Sequence, residues 1–152
     1  MSLQPFIQIV QIAGAISIIV GVASFILSIR NAQRQMNAQI VMKYAERYEK
    51  IMDSFPREAF RLRFDLDSEL PPPSQELTAC VLKYLNLCSE EFYLRKKGYI
   101  AKDVWSIWEG ELNRTLRSGV FRREWEGLRD EFVSYPEFCD FVETTMKKGS
   151  VV

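Results

Sequence analysis

The stretch "RTLRSGVFRR" sets Arg114, Arg117, Arg122 and Arg123 around a single glycine. Each guanidinium carries a fixed charge and a planar fork of donors. Four of them about a turn could bind an anion: a nucleotide, a lipid headgroup or an acidic partner. Glu124, Glu126 and Asp130 follow closely and would neutralise part of that charge, so a salt-bridged surface is the plainer expectation. Arg57, Arg61 and Arg63 form a smaller cluster of the same kind. The acids that could transfer protons or hold a metal are Glu90, Glu91, Asp103, Glu109 and Glu111. Carboxylates do such work only when the fold converges them. No spacing here does that, and they read as helical surface charge.

What is missing narrows the chemistry further. There is no histidine, which removes Ser-His-Asp and Cys-His pairs, imidazole acid–base catalysis and the common zinc sites. The seven glycines are scattered and form no phosphate loop. Cys80, Cys88 and Cys139 are odd in number and suit buried, reduced thiols better than a disulfide framework. Twenty basic residues balance twenty acidic ones, so no charge excess argues for nucleic acid. The aromatic residues could stack nucleobases, but they recur at helical spacing, as core residues do. The expectation is a protein that is not an enzyme, with no catalytic residue, no metal and no cofactor.

The charges are distributed unevenly. No Asp, Glu, Lys or Arg precedes Arg30, and Phe6 to Ile29 is a run of 24 uncharged residues. As a helix it is about 36 Å long at 1.5 Å per residue, enough to cross a hydrocarbon core of about 30 Å with some tilt. A cleaved signal would need a basic start, a shorter apolar run and a small-x-small cleavage site. "SLQP" offers no base, and no such site follows. A retained membrane span over residues 1–30 is therefore expected. Arg30, Arg34, Lys43, Arg47 and Lys50 follow it, and the positive-inside rule puts the N-terminus outside and the remainder in the cytoplasm of a plasma membrane. Arg30 and Arg34 serve as interface anchors that reach lipid phosphates.

At 100° per residue the span has three faces. Ile9, Ile12, Ile16, Ile19, Ala23 and Leu27 are bulky and suit lipid. Ala13, Ser17, Gly21, Ser24 and Ser28 form a seam of small residues, with Gly14 beside it. Gln8 and Gln11 head a third stripe that continues through Ala15, Ile18, Val22, Phe25 and Ile29. Small residues let helices approach closely, and amides in a membrane want partners. Both features point to helix–helix contact, with a second copy or with another membrane protein.

Helical periodicity continues beyond the span. "RNAQRQMNAQIVMKYAERYEKIM" carries a stalk helix to about Met52, with Met36, Ile40, Tyr44, Tyr48, Ile51 and Phe55 on one stripe. Ser54 and Pro56 open a short helix, so residues 31–64 form the stalk and this helix. "DLDSELPPPS" (65–74) is a proline-rich connector. Residues 75–148 hold the helical core. Ser74 caps a central helix with Leu77, Cys80, Val81, Tyr84, Leu85, Cys88 and Phe92 on its face, and Gly98 stops it. Asp103 caps the next, with Val104, Trp105, Trp108, Leu112 and Leu116 on its face, and Gly119 breaks it. Phe121, Trp125, Leu128 and Phe132 mark another. Ser134 and Glu137 offer a capping box for the last, which Phe138, Phe141, Val142 and Met146 line.

The fold class expected is all-α: one N-terminal transmembrane helix continuing into a stalk, then a cytosolic bundle of four to five helices. This layout, with "KKGYIAKDVWSIWEGELNR" and "EFVSYPEFCDFVE", resembles a family of short bacterial and archaeal membrane proteins known only as a domain of unknown function. The likeness covers residues 5–145. It implies the span-plus-helical-domain architecture and supplies no site residues. The expected role is non-enzymatic: self-association, or an accessory or scaffold subunit of a larger membrane complex, with lipid and other membrane helices as partners. The alternative is a membrane effector that responds to an anion or nucleotide, for instance in stress or phage defence. No residue pattern in the sequence names a small-molecule ligand.

Overall fold

The computed structural model describes residues 3–57, 59 and 69–148. All regular structure among them is helical, and the architecture is all-α with a helical bundle. The helices are α1 (Gln4–Asp53), α2 (Gln75–Lys96), α3 (Lys102–Leu116), α4 (Gly119–Leu128) and α5 (Pro136–Lys148), with a 3-10 turn at Arg129–Phe132 between the last two. Most of the short helix expected after Ser54, with Arg61, Arg63 and the first part of the connector, lies outside the described residues.

The chain divides into two compact units, Met1–Gln39 and Ile40–Val152. In the first, α1 is exposed at every residue from Phe6 to Met36. It is the one helix among the described residues that is long and apolar enough to cross a membrane. The Ser17 hydroxyl donates to the Ala13 carbonyl (2.8 Å), so this polar group is satisfied inside its own helix.

The second unit is organised around α2. Leu77, Val81, Tyr84, Leu85 and Cys88 are buried, and Leu87 and Cys80 extend burial around the helix. Phe121 of α4 packs on Tyr84 with ring centroids 5.1 Å apart, and on Phe55 at 6.2 Å. At the other end Phe92, Trp125, Phe132 and Phe138 form a second aromatic layer, with centroids 5.5–6.5 Å apart among the contacting pairs. Ile40, Tyr48 and Ile51 of α1 pack against this core half-buried, and Met52 is buried in it. All three cysteines are buried and none is in a disulfide.

Local signals explain most boundaries. α1 stops where the Ser54 hydroxyl donates to the Ile51 carbonyl (2.7 Å) and Pro56 withdraws a backbone donor. Ser74 caps α2 by accepting from the Leu77 amide (3.1 Å). α2 ends in a Schellman motif: the Tyr99 amide donates to the Leu94 carbonyl and the Gly98 amide to that of Arg95, with Gly98 at φ +75°.

Three expected boundaries differ. α3 is capped at Ala101 with no side-chain bond, and Asp103 lies inside the first turn, where a carboxylate still favours the helix dipole. α5 takes its first helical bonds on the Tyr135 carbonyl, from Phe138 and Cys139, so Ser134 lies outside the cap position. Glu137, free of a capping role, pairs with Lys96 of α2 (2.5 Å). Phe132 is not on α4 but on the 3-10 turn after it; the tighter winding brings this ring to 1% exposure.

Candidate functional site

The four arginines expected around Gly119 do not converge on one open site. Arg114 pairs with Glu111 on the surface of α3. Arg123 is bound internally: Nη1 donates to the Pro71 carbonyl (2.6 Å), and Nε and Nη2 donate to Glu124 Oε1 at 3.0 and 2.8 Å. Glu124 is itself buried and accepts from the Thr78 hydroxyl (2.6 Å). This network fastens the last connector residues and the first turn of α2 to α4. Arg117 and Arg122 are half-buried, each with a buried Nε. Gly119 is where Leu70 of the connector comes close: a Cβ there would meet Leu70 Cδ2 at 2.7 Å.

The acids behave differently from one another. Arg47 clasps Glu90 in a bidentate pair, at 2.5 and 2.9 Å, and the Tyr44 hydroxyl donates to the same carboxylate at 3.0 Å. The Arg47 guanidinium also lies 5.2 Å from the centre of the Tyr44 ring. Hydrogen bonds from Arg47 hold the Glu90 carboxyl below its ordinary range. Burial, with the Glu90 carboxylate as second cause, pushes the Tyr44 phenol up to about 12.

Glu91, one residue on, is 8% exposed. A helix advances 100° per residue, so the neighbour of an outward-facing acid can face inward. Its carboxyl has no hydrogen-bond partner among the described residues. Burial pushes it up to about 8, against a smaller opposing pull from Arg47. The expectation of surface charge is corrected here: Glu91 is a buried acid.

Glu91 lines a cleft of about 270 Å³ in the Ile40–Val152 unit, with Tyr44, Tyr48, Tyr84, Trp108 and Glu111 among the other lining residues. The Tyr44 and Trp108 rings lie 5.7 Å apart and the Tyr48 and Tyr84 rings 6.3 Å apart. A concave, mostly apolar pocket holding a titratable group with a strongly shifted pKa is the usual form of a small-molecule site. The stripe containing Tyr44 and Tyr48 is visible in the sequence. So is the signal for Glu91, which follows Leu87 by four and Tyr84 by seven and so continues a buried face. Among the described residues no group of three or more potential ligands is placed to hold a metal ion.

The span residues Gln8, Gln11, Gly14, Ser17, Gly21, Ser24 and Ser28 are all exposed, as are Arg30 and Arg34. A Cβ added at Gly14 or Gly21 would meet nothing within 4 Å. No family model, curated protein or solved structure matches the chain.

Proposed function

We propose that the chain is a non-enzymatic single-pass membrane protein of a prokaryotic plasma membrane. It self-associates, or serves as an accessory subunit of a larger membrane complex, through packing of the helix over residues 6–29. The N-terminus faces outward and the Ile40–Val152 unit lies in the cytoplasm, following the basic residues from Arg30 to Lys50. The observation that carries this reading is the exposure of every residue from Phe6 to Met36. An apolar helix of this length in water would cost far more than in lipid, so it is at home in a bilayer or against other apolar helices. The small residues on one face allow close approach, because side-chain bulk there is minimal. The alternative of an anion-responsive effector acting through Arg114–Arg123 has less behind it, since Arg114 and Arg123 engage Glu111, Glu124 and Pro71.

Cysteine scanning tests the proposal. Single cysteines placed at Ser17, Gly21, Ser24 and Ser28 are expected to crosslink on oxidation in native membranes. Cysteines at Ile9, Ile16 and Ile19 are expected to crosslink weakly. A chain extracted from membranes by alkaline carbonate, or one giving no crosslinked product at any position, would overturn it.

A further inference from the structure

We propose that the cleft between the Tyr44–Tyr48 turn of α1, α2 and α3 is a binding site for an organic ammonium cation, held by the faces of Tyr44, Tyr48, Tyr84 and Trp108 and by the Glu91 carboxylate. The cleft and every residue in it belong to the Ile40–Val152 unit, so the inference stands apart from the membrane reading.

Three observations converge. First, the lining is aromatic. Ring faces are electronegative and attract cations, best of all Trp and then Tyr. Tyr44 already accepts the Arg47 guanidinium at 5.2 Å, so this ring is used in that way within the fold. Second, the cleft holds an acid with no counter-ion. Glu90 is matched by Arg47, and Glu111 by Arg114. Glu91 is more than nine-tenths buried and makes no hydrogen bond among the described residues. Its oxygens open on the cleft rather than into the closed core, so a ligand entering the cleft can supply the partner they lack. Third, the volume of about 270 Å³ lies just under the range of roughly 300–1,000 Å³ that drug-sized ligands occupy, so it suits a compact cation of a few heavy atoms.

Other occupants fit less well. An anion would meet Glu91 and Glu111. A neutral apolar ligand would fill the aromatic walls and leave the carboxyl unanswered. A hard metal ion needs more oxygen ligands than two carboxylates supply.

The exchange balances in charge. In the empty cleft Glu91 holds its proton, because burial disfavours the ion. When the cation enters, the carboxyl releases that proton to solvent and the ammonium takes up the charge opposite it. The titratable groups that share the cleft with Glu91 are Tyr44 and Tyr48 from α1, Tyr84 from its own helix and Glu111 from α3, and the charges of Arg47 and Glu90 act on it from outside the cleft. Tyr44 stays protonated below about pH 12, and Arg47 and Glu90 are locked as an ion pair. Glu91 is therefore the group whose charge changes near neutral pH, and binding becomes proton-linked.

The test uses choline, whose charge does not titrate, and its uncharged carbon isostere 3,3-dimethylbutan-1-ol. Both are titrated calorimetrically into the full chain in maltoside micelles at pH 6.5 and pH 8.5. Choline is expected to bind, and its affinity to rise roughly tenfold across that interval as the proton is lost more easily. The isostere is expected to bind at least about tenfold more weakly. Glu91→Gln keeps the shape of the protonated acid; it should leave the thermal midpoint at pH 6.5 no lower than the parent's while removing both the pH dependence and most of the affinity. Trp108→Phe, which keeps a ring but weakens its field, should give an intermediate loss. Equal binding of choline and its isostere, no binding of either, or a pH dependence that survives in Glu91→Gln would each overturn the proposal. Nanodiscs distinguish the sources of the ammonium group. If the natural ligand is a lipid headgroup, phosphatidylcholine discs weaken added choline relative to phosphatidylglycerol discs; equal affinity in the two assigns the site to a free cation.

Discussion

At the residue scale the informative contrast is between Glu90 and Glu91, identical in type and adjacent in sequence. Glu90 faces Arg47 and Tyr44, and its charge is supported by them. Glu91 faces the aromatic cleft, and its charge is penalised by burial. The folded state holds the Glu91 carboxyl at about 8, against 4.5 for the free side chain. From about pH 4.5 to 8 the unfolded chain has given up this proton and the folded chain still binds it. Linkage then makes the Glu91 contribution fall as pH rises through that window and level off above it. Glu91→Gln removes the titration. We expect the variant to gain stability over the parent as pH rises, reaching roughly 4 kcal/mol near pH 8, with more than half of that gain present by pH 6.5. Urea unfolding at pH 5, 6.5 and 8 measures it; a difference that stays constant with pH would show that Glu91 titrates normally. Glu90→Gln acts on a pair that is close to half-exposed, so the loss should stay within about 1 kcal/mol.

At the element scale, much was legible because helix boundaries depend on a few side chains. Ser74 and Gly98 each sit where their chemistry predicts, and their costs can be stated. Ser74→Ala removes an acceptor from the Leu77 amide and should lower stability by about 1 kcal/mol. Gly98→Ala places a Cβ in open space, so its whole cost is the left-handed backbone, about 1–2 kcal/mol. If chemical denaturation finds Gly98→Ala neutral, the Schellman turn does not fix that end of α2. The boundaries that were not legible, at Ala101 and Tyr135, are caps made by backbone carbonyls alone. Such caps leave no mark in residue type, whereas Asp103 and Ser134 carry the expected type one or two positions away. The role of Arg123 was equally hidden, since its partner Pro71 lies 52 residues back and the bond is to a carbonyl. Arg123→Ala should release the connector, and limited proteolysis after Glu69–Leu70 should quicken several-fold while the melting temperature of the helical core moves little.

At the scale of the molecule, the boundary between the two compact units falls inside a helix, at Gln39–Ile40, rather than in a loop. Composition alone draws the line near Arg30, where charge begins. Packing draws it later, because a mostly polar and mostly exposed stretch, residues 30–39, separates Ile29 of the span from Ile40, which joins the bundle. Ile40, Tyr48 and Ile51 then contribute half-buried surface to the core, Met52 and Phe55 are buried, and Tyr44 lines the cleft. The last turns of α1 are thus part of the bundle's own core, and the two ways of dividing the chain make different predictions. A chain begun at Ile40 keeps all of these residues and should be soluble, helical and cooperative in thermal unfolding. A chain begun at Ser54 keeps Phe55 and loses the rest, exposing Leu87, Tyr84 and the base of the cleft. Burying one large apolar side chain is worth about 1.5–3 kcal/mol, and the five lost, most of them partly buried, amount to a large share of a net stability of about 5–15 kcal/mol. The shorter chain should therefore melt at a much lower temperature or bind a hydrophobic dye as a loosely packed state. Circular dichroism melts of the two chains decide it: equal midpoints would mean that α2 to α5 form a complete core without α1, and that the cleft is a surface feature rather than part of the fold.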